Sequence, residues 1–219
     1  VRRSAPLTAV LTLAALLAGC GGSTAKIDGP APTTTSASGF AGAAVLPPRP
    51  AQAISLHDAD GHAVTLAEQR GRYVLVTFLY THCPDVCPLI ASNLNAALRA
   101  LGPSRKNVRV LAVSVDPAGD TAAAVHAYAK RMHLEPQFRF LIGTRPELRR
   151  VWAAWNVLSV QRKPGLVDHV AYTALIDRAG KERVLYDSQV HAQQVIHDLR
   201  RLMRPAEIIQ SKRAAGSPS

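Results

Sequence analysis

Residues 73–101 read YVLVTFLYTHCPDVCPLIASNLNAALRAL. Tyr73 to Tyr80 is an unbroken apolar run rich in β-branched and aromatic side chains, which predicts a central strand buried on both faces. From Pro88 to Leu101 the spacing changes. Leu89, Leu94, Leu98 and Leu101 recur at helical intervals, so a helix follows the strand at once. The eight residues between the two patterns, Thr81-His82-Cys83-Pro84-Asp85-Val86-Cys87-Pro88, therefore lie where a strand ends and a helix begins.

That position gives the two cysteines their chemistry. Four residues apart at a helix start, Cys83 and Cys87 lie on one face, close enough to share a ligand. The positive end of the helix dipole stabilises a thiolate there and lowers its pKa. Pro84 and Pro88 stiffen the loop and the first turn without removing an interior hydrogen bond. The spacing is C-x-x-x-C, one residue longer than the C-x-x-C of thioredoxin-type reductants. The pair suits either a disulfide or a soft metal ion.

Working outward, Ile54 to Leu66 alternates around Asp58-Ala59-Asp60-Gly61, which predicts a hairpin with Gly61 in its turn. Val108 to Val115 is a second buried strand. Thr121 to His133 is a helix with Asp120 as its candidate N-cap, and Pro146 to Trp155 is another, with Pro146 in its first turn. Ala171–Asp177 and Glu182–Tyr186 flank Arg178-Ala179-Gly180-Lys181 as a late hairpin, and His191 to Met203 is the last helix. Early β-α-β units imply parallel strands, and the late hairpin adds antiparallel ones. The expected class is α/β: a thioredoxin-like fold with a central mixed sheet, an N-terminal β-hairpin extension and an insertion. Its domain is expected over 52–205, with a polar tail at 206–219.

The N-terminal residues read as an address. Arg2 and Arg3 precede an apolar stretch, Leu7 to Leu17, of secretory-signal length and too short to span a bilayer. The run ends Leu17-Ala18-Gly19-Cys20, which resembles a bacterial lipobox. The expectation is a signal peptide over 1–19, lipidation at Cys20, and a flexible Gly/Ser/Thr/Pro-rich tether over 20–51. The protein is thus expected to be exported and anchored to the bacterial cell membrane, facing the extracytoplasmic side. With three cysteines in 219 residues, cysteine signals chemistry rather than a disulfide scaffold. The formal charge is +11, but the basic residues are scattered without aromatic interleaving, so no nucleic-acid partner is expected.

Three segments carry a family resemblance: FLYTHCPDVCP at 78–88, VSVDPAGDT at 113–121 and VDHVAYTALID at 167–177. Together they resemble the Sco/SenC copper-binding proteins of cytochrome c oxidase assembly. The resemblance implies one copper, Cu(I) or Cu(II), bound by Cys83, Cys87 and the distant His169. The expected partner is a copper-acceptor subunit of a terminal oxidase or another copper chaperone. Two thiolates suit Cu(I), and an added imidazole extends the site to Cu(II). His169 follows a Pro-Gly-containing loop and precedes a strand. The alternative role is enzymatic: Cys83 and Cys87 as the redox-active pair of a thiol–disulfide reductase that keeps an acceptor's cysteines reduced. Asp168 is a candidate to orient His169, although neighbours on a strand point to opposite sides. Asp85 is a candidate to tune the loop or recognise a partner, or else an acid favoured by the helix dipole; His82 is read as a loop residue, and Asp116 and Asp120 as residues of a strand-to-helix turn. Trp152 and Trp155 are read as packing residues. Cys20→Ala is expected to move the protein from the membrane to the soluble fraction on cell fractionation; retention on membranes would point to an uncleaved anchor or another attachment.

Overall fold

The computed structural model describes residues 38–163, 166–169 and 171–204; the expected signal peptide, Cys20 and the tail from 206 lie outside them. In chain order the elements are β1 (Ala43–Pro50), β2 (Ser55–Asp58), β3 (Ala63–Thr65), β4 (Tyr73–Leu79), α1 (Val86–Ala100), β5 (Val108–Ser114), α2 (Ala122–Arg131), β6 (Phe138–Ile142), α3 (Arg145–Ala154), β7 (Ser159–Lys163), β8 (Leu166–His169), β9 (Thr173–Ile176), β10 (Lys181–Tyr186) and α4 (Ala192–Met203).

Every residue of β4 is buried, as a strand covered on both faces requires. It sits inside an eight-stranded sheet of order β1-β10-β9-β4-β5-β6-β2-β3. β4, β5 and β6 run parallel, and β9 joins β4 antiparallel. The late hairpin β9–β10 and the early hairpin β2–β3 extend the sheet on opposite sides, both antiparallel. This is the thioredoxin-like α/β fold with a mixed sheet and an N-terminal hairpin. β7 and β8 form a separate two-stranded unit, so the segment before His169 is a hairpin arm rather than the expected loop.

The segment 43–50, expected to belong to the tether, is instead an edge strand paired with β10. Its cause lies far along the chain. The buried Asp198 carboxylate on α4 accepts hydrogen bonds from the Ala41 N–H at 2.7 Å and the Gly42 N–H at 3.0 Å. It also accepts the Tyr186 hydroxyl at 2.8 Å. Phe40 is buried beside this clamp, with the Arg201 guanidinium 5.2 Å from its ring centre. The folded unit therefore begins more than ten residues before the expected boundary at 52. A second difference concerns α2: its N-cap is Thr121, whose side chain accepts the Ala124 N–H, and not Asp120.

The β2–β3 turn is organised by Asp58. One carboxylate oxygen accepts the Asp60 N–H at 3.1 Å and the His62 N–H at 2.9 Å, and the other pairs with Arg139 on β6. Gly61 takes φ +82° in the turn, a conformation that disfavours side chains. Burial works against ionisation of Asp58. The donors from His62, Arg139 and Asp60 outweigh it, and its pKa lies below 3.8. The contribution of this carboxylate to stability is therefore full above the unfolded value and is lost as pH falls through the folded one. Acid unfolding followed by circular dichroism should show that loss, and Asp58→Asn should flatten it. Asp198→Ala, which orphans two N–H groups and a hydroxyl, is expected to lower unfolding free energy in urea by about 2–3 kcal/mol.

Candidate metal centre

Past Leu79 the chain leaves the sheet through Tyr80 and Thr81, both buried. Thr81 is held by a carboxylate from another loop. Its N–H and its hydroxyl donate to Asp120 Oδ1 at 2.7 and 2.8 Å, and Ser114 Oγ donates to Asp120 Oδ2 at 2.5 Å. This is the work Asp120 does in place of capping α2. Burial pushes its pKa up against those hydrogen bonds. The backbone of Asp116 and Gly119 turns around the same point, with Asp116 N–H donating to Ser114 Oγ at 3.2 Å. Asp116 and Asp120 thus do shape the strand-to-helix turn, and Asp120 additionally ties two turns together.

Helix α1 then begins with an unusual cap. Asp85 is the N-cap residue, yet its side chain makes no capping hydrogen bond. The acceptor is sulfur: the Cys87 N–H donates to Cys83 Sγ at 3.4 Å, and the Asp85 N–H also serves it. Helix N-termini leave such N–H groups without partners, so they are available to a thiolate. Cys83 is half-buried and Cys87 fully buried, both as free thiols. A hydrogen bond from the Cys87 thiol, then the two N–H groups and the Tyr80 hydroxyl, overcome the cost of burial and bring Cys83 down to about 6. Cys87, donating to that sulfur and buried, is pushed up. Cys83 is thus the first of the two to ionise, and Cys87 holds its proton longer.

Tyr80 links this pair to the second unit. It is hydrogen-bonded to the Val167 backbone on β8 and to Cys83, and burial raises it to about 12. His169 is the last residue of β8, two positions beyond Val167, a step of about 7 Å along a strand. Its register partner is Ser159, whose hydroxyl donates to the Val115 carbonyl at 3.1 Å beyond the end of β5. The hairpin is thus pinned at the strand ends where the cysteines sit. The side chains of Asp168 and His169 lie outside the described residues. Beneath the site, Trp155 and Tyr172 pack on Phe78 with ring centres 6.0 and 5.5 Å away. Trp152 Nε1 donates to the Ser114 carbonyl at 2.9 Å, so both tryptophans pack as expected. His82 is exposed, with its Nδ1 3.0 Å from Thr81 Oγ1. Tyr80 and the Thr81–Asp120 tie escaped sequence reading. The tyrosine was hidden as one more apolar residue closing YVLVTFLY.

Two sulfurs suit a soft cation, Cys83 in the loop just before α1 and Cys87 in its first turn, and the backbone of His169 ends the hairpin pinned to the same edge. The profile of the SCO1/SenC family matches residues 47–204. The mitochondrial SCO2 homologue of Bos taurus is 31% identical over 156 residues, 68% of this chain and 58% of that protein. This chain therefore spans less than two thirds of the bovine protein. Bradyrhizobium japonicum ScoI, solved with copper bound, matches with a TM-score of 0.62 and 32% identity over 70% of this chain and 99% of that one. The apo Sco1 of Thermus thermophilus matches with a TM-score of 0.65 and 33% identity over 75% and 97%.

Alkylation of the reduced protein should follow the ionisation of Cys83, with a midpoint near pH 6. Cys87→Ala removes the largest stabiliser of the thiolate and should move that midpoint upward. Tyr80→Phe should move it in the same direction by less.

Proposed function

The chain belongs to the SCO1/SenC family, and from that premise we propose that it is a membrane-anchored copper carrier. It holds one copper ion between Cys83, Cys87 and His169 and helps assemble the dinuclear copper centre of a cytochrome c oxidase. Lipidated Cys20 keeps it on the extracytoplasmic side of the cell membrane. Among the described residues, no helix is long and apolar enough to cross a membrane.

The observation that carries this reading is the unequal pair of sulfurs at the start of α1. Cys83, the more readily ionised sulfur, meets the metal first, and Cys87 gives up its proton as the metal binds. The copper is cargo. Two thiolates hold Cu(I), and the imidazole of His169 adds a borderline ligand that also suits Cu(II). A site of three protein ligands leaves room for an incoming thiolate from an acceptor, so the ion can change hands by ligand exchange.

The same asymmetry supports a second reading, thiol–disulfide exchange. The Cys83 thiolate attacks an acceptor disulfide, forms a mixed disulfide and expels one acceptor thiolate. Cys87 then gives up its proton and attacks the Cys83 sulfur, which releases the second acceptor thiolate. The acceptor gains two electrons and the carrier ends as a Cys83–Cys87 disulfide.

Competitive copper titration of the reduced protein separates the readings. The expected result is one copper per chain, with His169→Ala weakening binding by more than the roughly 10–100-fold that loss of an outer-shell partner costs. Disulfide formation should survive that substitution. Copper binding indifferent to His169 would leave the reductase as the function. Proton release on copper uptake should be about one per copper at pH 7 from the thiols and rise toward two below pH 6.

A further inference from the structure

The end of the sheet remote from the cysteines carries a different chemistry. Arg72 immediately precedes β4, Arg109 is the second residue of β5 and Arg139 the second of β6. Arg109 and Leu111 alternate onto one face of β5, and Leu111 lies in register with Arg139. The three arginines line one cleft of about 230 Å³, closed on the other side by Glu68 and Gln69 from the turn after β3. Seven residues of β4 separate this cleft from the Cys83 loop, about 20 Å of strand.

The charges in the cleft do not balance. Arg139 is paired with Asp58. Glu68 points its carboxylate back to the Thr65 N–H, 3.1 Å away. Among the described residues neither Arg72 nor Arg109 has an acidic partner; Arg109 donates only to its neighbour's carbonyl, Val108 O, at 3.1 Å. Arg109 is half-buried, and burial followed by the charges of Arg72 and Arg139 lowers its pKa. Gathering guanidinium groups in a recess is unfavourable without an anion, and their planar forks match the oxygens of phosphate and its esters.

We propose that the cleft between Arg72, Arg109 and Arg139 is a binding site for a phosphate-class oxyanion, either free phosphate or the phosphodiester of an anionic lipid headgroup. Arg72 and Arg109 supply the uncompensated charge and the paired N–H donors, while Gln69 and Arg139 border the site. It is independent of the metal reading, since none of its residues touches the cysteine pair.

The test uses the full chain carrying Cys20→Ala, so that no acyl anchor contributes, in anion-free buffer of low salt. Inorganic phosphate is titrated calorimetrically, and vesicles of phosphatidylglycerol or phosphatidylcholine are sedimented with the protein. The expected result is saturable one-to-one binding of phosphate, or binding to phosphatidylglycerol vesicles alone, lost by more than about tenfold in Arg72→Gln/Arg109→Gln. Arg200→Gln/Arg204→Gln removes the same charge from the end of α4 and should retain it. Phosphate binding without vesicle binding assigns the site to a soluble ligand; vesicle binding lost in the first variant alone assigns it to a headgroup. Without anion, the first variant should melt no lower than the parent, because it relieves repulsion. No binding of either probe, equal loss in both variants, or a lower melting temperature of the anion-free first variant would overturn the proposal.

Discussion

Asp120 takes a carboxylate into the protein interior and spends both its oxygens on the Thr81 backbone, the Thr81 hydroxyl and the Ser114 hydroxyl. Those three bonds join the end of β4 to the turn after β5, two segments that a parallel sheet holds side by side. Without the tie, Thr81 would be a loop residue with a buried N–H unpaired, at a cost of about 1–3 kcal/mol. With it, the backbone two residues before Cys83 has a fixed position, so the sulfur falls within reach of the first N–H groups of α1. The low pKa of Cys83 begins with that constraint.

A sulfur in the capping position has a further effect. An ordinary N-cap oxygen serves the helix alone, but here the acceptor is also the candidate metal ligand. Ligation and helix geometry are therefore mechanically joined, and Tyr80 extends the joint to β8 through Val167. One phenol thus touches both the helix start and the hairpin.

Much of this was legible in the sequence. The central strands β4 and β5 are unbroken apolar runs, and the hairpins announce themselves by Gly61 and Gly180. The cysteine pair was visible because strand and helix patterns meet on it. What escaped has physical causes. β6, FRFLI, is only five residues long and carries Arg139 to the solvent-facing side, so its apolar run is broken. β7, SVQRK, is polar because it pairs with β8 outside the main sheet. Asp120 and Thr121 are both good caps, and local sequence cannot say which of them a buried Ser114 and Thr81 will recruit. β1 read as tether because its composition cannot bury a core unaided; its partners, β10 and Asp198, lie more than 130 residues away.

The prolines of β1 have a consequence of their own. Pro47, Pro48 and Pro50 stand on an outermost strand and have no N–H to offer. The opposite margin is β3, three residues long. Both margins are poor templates for lateral addition of another strand, whether from a second copy or from an unfolded chain. Among the described residues, neither margin of this sheet favours recognition by backbone zippering, which leaves its two ends open to other molecules. At one end they meet sulfur and at the other arginine.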